Sequence, residues 1–153
     1  MLPRYRADMD EGGYVSGPLR TQPDMASAVF ALERASYMLE SARERFGRRD
    51  YPGAFEESRN AIRMASSAML FRDGYVSENL ETTVSYLVQR YPGAFPVEEW
   101  QRLEDVPMED TPGLYNMILG AMGKIKKTGE QEAMEAMALA DAFIGSARAE
   151  MGP

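Results

Sequence analysis

Apolar side chains recur along this chain at helical spacing, and the recurrence divides it into a series of helices. From Ala54 to Gly74, small and apolar residues stand at Ala54, Phe55, Ser58, Ala61, Ile62, Ala65, Ala68 and Met69, the i, i+3, i+4, i+7 pattern of one helix face. Four alanines and a serine leave that face little bulk, so another helix axis can come close. This helix is expected to be central and buried. Pro52 suits its first turn and Gly74 its left-handed stop. Before it, Met25, Ala28, Val29, Leu32, Ala35, Leu39, Ala42 and Phe46 form a further stripe, with Asp24 as its cap and Gly47 as its end. The short link Arg48-Arg49-Asp50-Tyr51 makes the two helices antiparallel neighbours.

A third helix is expected behind a Ser77 cap, with Leu80, Val84, Leu87, Val88 and Tyr91 on one face and Pro92 as its stop. Val97 to Leu103 reads as a short helical turn that tucks Trp100 onto the bundle, and the acidic, proline-bearing stretch 104–113 reads as a loop. Leu114, Met117, Ile118, Ala121, Met122 and Ile125 predict a fourth stripe, closed by Lys124, Lys126 and Lys127 where cations favour a helix C-terminus. Thr128 and Gln131 have capping-box spacing before a last helix through Ala133, Ala136, Met137, Ala140, Phe143, Ile144 and Ala147. The break at 128–129 suits either a new helix or a kink. The segment YPGAF at 51–55 returns at 91–95 with unlike flanks, which reads as a reused turn. No stretch carries a strand signal of any weight. Residues 1–23 hold three prolines, three glycines and no period, and read as an extended arm in which Tyr5, Tyr14, Val15 and Leu19 are candidate pins. The expected architecture is all-α: an arm over 1–23 and one up-and-down bundle of four or five helices over 24–150.

Composition narrows the chemistry. The 153 residues contain no cysteine and no histidine, which excludes disulfides, thiolate sites, a cysteine nucleophile and the commonest general base and metal ligand. There is no apolar run of signal-peptide or membrane-span length, so the expected location is the cytoplasm, away from any membrane. The net charge of −7 is unevenly distributed. Through Gly74, 11 arginines balance 11 acids, and beyond it 6 basic residues face 13 acids. A broad basic nucleic-acid surface is therefore not expected, which leaves room only for a local arginine patch on the first half.

Among chemical candidates, the neighbouring acids Glu56-Glu57, Glu98-Glu99 and Glu104-Asp105 diverge by about 100° on a helix and read as solvated surface. Arg59 and Arg63, at i and i+4, share one face of the central helix, and Arg43, Arg45, Arg48 and Arg49 cluster around the preceding link. Guanidinium recognises phosphate through a bidentate fork, which makes Arg59, Arg63, Arg48 and Arg49 the ligand-binding candidates. The plainer reading pairs the arginines with Glu40, Glu44, Glu56 and Glu57. The 12 methionines, Met117, Met122, Met134 and Met137 among them, read as core filling or as an adaptable interface.

The run Ala54 to Gly74, with its Ala54-Ala61-Ala68 ladder, resembles the signature helix of HEPN domains. Ala35, Leu39 and Ala42 resemble that family's first helix, and residues 130–144 its last. The resemblance implies a helical bundle that pairs into homodimers. Its members are either ribonucleases with an Arg-x4–6-His motif or non-catalytic partners of small nucleotidyltransferases in toxin–antitoxin-like pairs. This chain has no histidine, and Ser77, Glu78 and Asn79 stand where the family's histidine would be. The family's catalysis does not carry over, and no catalytic residue, metal or cofactor is expected. The functional expectation is a non-enzymatic module for a protein partner or for nucleotide or RNA. A structural adaptor unrelated to HEPN stands as the alternative, with a carboxylate- and arginine-based enzyme last.

Overall fold

The computed structural model describes residues 17–105 and 129–152. Two 23-residue helices, α1 (Met25–Gly47) and α2 (Tyr51–Asp73), lie side by side, and α5 (Glu130–Met151) packs along α2 and touches α1 over a shorter stretch. Between α2 and α5 come α3 (Leu80–Arg90) and α4 (Val97–Glu104). The protein is an all-α bundle. A two-residue antiparallel ladder, β1 (Leu19–Arg20) with β2 (Tyr75–Val76), is the sole sheet among the described residues. The expected fourth stripe, 114–125, lies outside them.

Cross-links fix the directions of the long helices. Ser41 donates to Glu57, and the Asp24 amide donates to the Phe71 carbonyl, so α1 and α2 run antiparallel. Arg43 pairs with Asp141 while Arg148 reaches back to Ser36, so α5 is also antiparallel to α1 and runs with α2. The core forms where the small faces meet. Ala54, Ala61, Ala65 and Ala68 are fully buried, as are Ala28, Ala35 and Ala42 of α1 and Ala133, Ala136, Ala140 and Ala147 of α5. Ser58 and Ser66 sit fully buried among them because their hydroxyls donate to the Ala54 and Ile62 carbonyls one turn back. Bulk comes from outside the alanine seam. Phe143 meets Trp100 at 5.3 Å and Phe95 at 5.5 Å between ring centroids, which binds α4 and the preceding turn to α5.

The helix ends follow local chemistry. The Asp24 carboxylate accepts from the Ser27 amide and hydroxyl, and the first of these bonds holds its carboxyl below the usual range. Asp50 caps α2 through the Gly53 amide, with Pro52 in the first turn. Gly74 ends α2 at φ 92°, a conformation a side chain disfavours. Its carbonyl accepts from Thr21, so the stop of α2 also anchors the strand that leads into α1.

Several sequence expectations need correction. The cap of α3 is Asn79, accepting from the Thr82 amide at 2.7 Å; Ser77 instead donates to the Asn79 carbonyl. The N-cap of α5 is Gly129, whose amide is taken by Glu132, so the box is shifted one residue from Thr128 and Gln131. Residues 17–23, read as part of an extended arm without strand structure, include the short strand and a buried Pro18. Met25, Val29 and Val88, placed on core stripes, are 50%, 42% and 47% exposed. The two YPGAF segments differ: 51–55 opens a helix, whereas 91–95 is a non-helical turn with Gly93 at φ 77°.

Candidate functional site

Arg59 and Arg63 stand one turn apart on α2, facing the C-terminus of α4. That short helix ends on Glu104, one turn after Trp100, whose indole is 1% exposed. The Glu104 side chain is itself only 8% exposed. It accepts a bidentate pair from Arg63, Nε at 2.9 Å and a terminal nitrogen at 2.6 Å, together with the Trp100 indole N–H at 3.0 Å. Arg59 Nε lies 3.9 Å from the same carboxylate, and its terminal nitrogen pairs with Glu56 at 2.6 Å. Phe55 lies beneath the Arg59 guanidinium, 5.5 Å from ring centroid to Cζ.

The electrostatics follow from this crowding. Burial raises the Glu104 pKa, but the Arg63 hydrogen bonds and charge, helped by Trp100 and Arg59, prevail and hold it below the usual carboxylate range. The Glu104 hydrogen bond raises the Arg63 pKa in turn. Two guanidiniums and two carboxylates, Glu56 and Glu104, make the cluster neutral. Arg59 pairs with Glu56, as the plainer sequence reading has it. Glu104 departs furthest from the solvated reading of the paired acids, with Glu57 half-buried against Ser41, and it closes α4 instead of opening a loop. Beside the cluster lies a cleft of about 350 Å³ that Arg63, Glu104 and Trp100 share with the hydroxyls of Ser67, Ser77 and Thr83.

Arg48 and Arg49 are elsewhere. Both are exposed in the link before α2, with Arg49 at φ 65°, and neither has an acidic partner among the described residues. Arg59 lies two turns into α2, about 12 Å along its axis. The four candidate arginines therefore do not form one patch. Arg43 pairs with Glu40 and Asp141, and Arg45 with Asp50 and Glu57.

A second polar cluster left no mark in the sequence reading. At the end of α2, Asp73 accepts from the hydroxyls of both Tyr86 and Tyr91. Burial, reinforced by that carboxylate, pushes both phenols well above their ordinary range. This cluster holds α3 against α2. Among the described residues, no group of three or more Asp or Glu is placed to hold a metal ion, and no helix is long and apolar enough to cross a membrane.

The least satisfied surface is the outer face of α1. Phe30 is 63% exposed and Tyr37 72%, while Met25 and Val29 border a cleft that α1 shares with Arg148 and Met151 of α5. Between the two aromatic residues stand exposed Glu33 and Arg34. Every other arginine of α1 and α2 forms an ion pair with an acid; Arg34 forms none among the described residues. Fold and surface together define a helical bundle with an internally neutralised arginine–glutamate cluster and two aromatic side chains of α1 turned outward. Compared with known proteins, the chain matches no family model, no curated protein and no solved structure.

Proposed function

We propose that this chain is a non-enzymatic helical module that docks another protein chain on the outer face of α1. The observation that carries the reading is the exposure of the two aromatic residues Phe30 and Tyr37, 63% and 72%, on a helix whose opposite face is packed. Exposed aromatic residues provide most of the energy at protein interaction sites. The HEPN resemblance supports the same class of protein, since its non-catalytic members act through partners, a nucleotidyltransferase among them. Arg59 and Arg63 argue for structure over ligand capture, because an incoming phosphate would have to displace Glu104 from three donors.

A photo-reactive amino acid placed at position 30 of the full chain in cells tests the reading. A discrete protein adduct is expected, weakened by Tyr37→Lys, with none at the exposed polar position 131. No adduct at position 30, or the same adducts at both positions, would overturn it. A nucleotide or RNA reading rests on Arg48 and Arg49, adjacent and without acidic partners among the described residues. Binding of an RNA oligonucleotide that is lost in Arg48→Glu/Arg49→Glu would favour that reading.

A further inference from the structure

We propose that the cleft between the start of α1 and the end of α5 is a seat for the chain's own N-terminal segment, residues 1–16, with Tyr5 and Met9 in it. Phe30 and Tyr37 do not line this cleft, so the proposal does not rest on the docking reading.

The cleft exists because α5 runs out before α1 does. Arg148 reaches Ser36 and Arg43 reaches Asp141, so seven residues forward along α1 match seven back along α5. Continued, this register brings Met151, the last residue of α5, opposite the turn of Glu33. The opening two turns of α1, 25–32, about 12 Å of helix, run on without it. Met25 and Val29 belong to the apolar stripe of α1, yet each stays about half exposed there. With Leu32 and Met151 they wall a cleft of about 600 Å³, within the size range of binding cavities. Methionine on both helices lets it adapt to what enters. Exposed Glu33 and Arg148 also line it, and neither forms an ion pair among the described residues.

Reach, composition and charge order select the occupant. The described chain begins at Gly17 and is held at this same end of the bundle, where β1 pairs with the strand that follows α2. Gly17 precedes Met25 by eight positions, so the two lie at most about 30 Å apart. Tyr5 stands twelve positions before Gly17, and that length spans up to about 40 Å, enough to return to the cleft. Residues 1–16 supply apolar side chains at Leu2, Tyr5, Met9, Tyr14 and Val15. Around Tyr5 and Met9, the bases Arg4 and Arg6 come first and the acids Asp8, Asp10 and Glu11 follow. The basic half then lies toward Glu33 and the acidic half toward Arg148. Charge order of this kind fixes direction more than strength. The segment is tethered and so acts at high effective concentration. A second protein has to displace it to reach Met25 and Val29.

The chain has no cysteine, so Ala7→Cys in the full chain takes a single nitroxide label between Tyr5 and Met9. With the methionine methyls carbon-13 labelled, the Met25 and Met151 signals are expected to lose most of their intensity to the label. Met134, exposed near the start of α5 and about 25 Å from Met151 along the helix, should keep its own. Tyr5→Ser/Met9→Ser should restore the Met25 and Met151 signals. Arg148→Glu should lower the ratio of seated to free segment about threefold, as one exposed ion pair allows. Adding Asp8→Arg/Asp10→Arg to that chain should bring the ratio back. Circular dichroism checks that each variant is folded. Full intensity at Met25 and Met151, equal loss at Met134, no recovery in Tyr5→Ser/Met9→Ser, or charge swaps without effect would each overturn the proposal. So would a loss that persists when nitroxide-bearing chains without carbon-13 are mixed with nitroxide-free carbon-13 chains, since the segment would then sit on a second copy.

Discussion

Glu104 is where one side chain holds the most structure. It neutralises Arg63, faces the 7%-exposed Arg59 and accepts from Trp100. Glu104→Gln keeps the shape but leaves the Arg59 side without enough negative charge. Breaking a fully buried pair costs about 3–5 kcal/mol; half of Arg63 is in water, so about 2–3 kcal/mol is expected in urea denaturation. The pH dependence has a definite sign. The carboxyl is more acidic folded than unfolded, so its contribution is complete above the ordinary value of 4.5 and fades as pH falls through the lower folded value. Below about pH 4.5 the parent should therefore lose stability more steeply than Glu104→Gln, as acid titration of the unfolding free energy would show. This residue was not legible in the sequence. Its arginine lies 41 positions away, and a tertiary ion pair imposes no period. Asp73 with Tyr86 and Tyr91 was hidden for the same reason. The Asp24 cap and the Gly74 stop were legible because their partners are within a few residues.

Among the elements, α2 is the one the sequence described most fully. Every residue of its proposed face, from Ala54 to Met69, is buried. Small residues at helical spacing carry both the face and the close approach, so pattern alone sufficed. Ala61 is fully buried, and Ala61→Leu should overpack the seam at a cost of about 1–3 kcal/mol, read from the urea midpoint. The α1 stripe was only partly right, since an apolar residue at a periodic position does not say which neighbour, if any, covers it. The two YPGAF segments show why words mislead: Asp50 caps the first copy into a helix, while the second follows the end of α3 and turns at Gly93. Gly74 and Gly93 both have positive φ, but a Cβ at Gly74 would meet Pro23 at 3.0 Å and Thr21 at 3.1 Å, and one at Gly93 meets nothing within 4 Å. Gly93→Ala should cost about 1–2 kcal/mol from backbone conformation. Gly74→Ala should cost clearly more, as paired thermal melts would register.

For the whole molecule, the aromatic contacts of Phe143 join the α3–α4 layer to the long helices. Phe143→Ala should cost about 3–5 kcal/mol, and the Trp100 emission should shift to longer wavelength as water reaches the indole. The all-α bundle class was legible from periodicity, and so was the tuck of Trp100 onto the bundle; its partner Phe143 and the placement of α3 were not, because they depend on long-range contacts. The short β1–β2 ladder has a further consequence, in time as well as in space. It ties Leu19 to Val76 across the open end of the α1–α2 hairpin, so that hairpin closes on itself without any later residue. Loops formed early and locally lower the entropic barrier to folding. On the ribosome, this hairpin can therefore assemble while α5 is still unmade, and α5 then docks onto a seam already in place. Pulse-labelled hydrogen exchange during refolding should protect amides of 35–42 and 61–68 before those of 133–147. Simultaneous protection of all three would mean that the ladder fastens the finished fold without ordering its assembly.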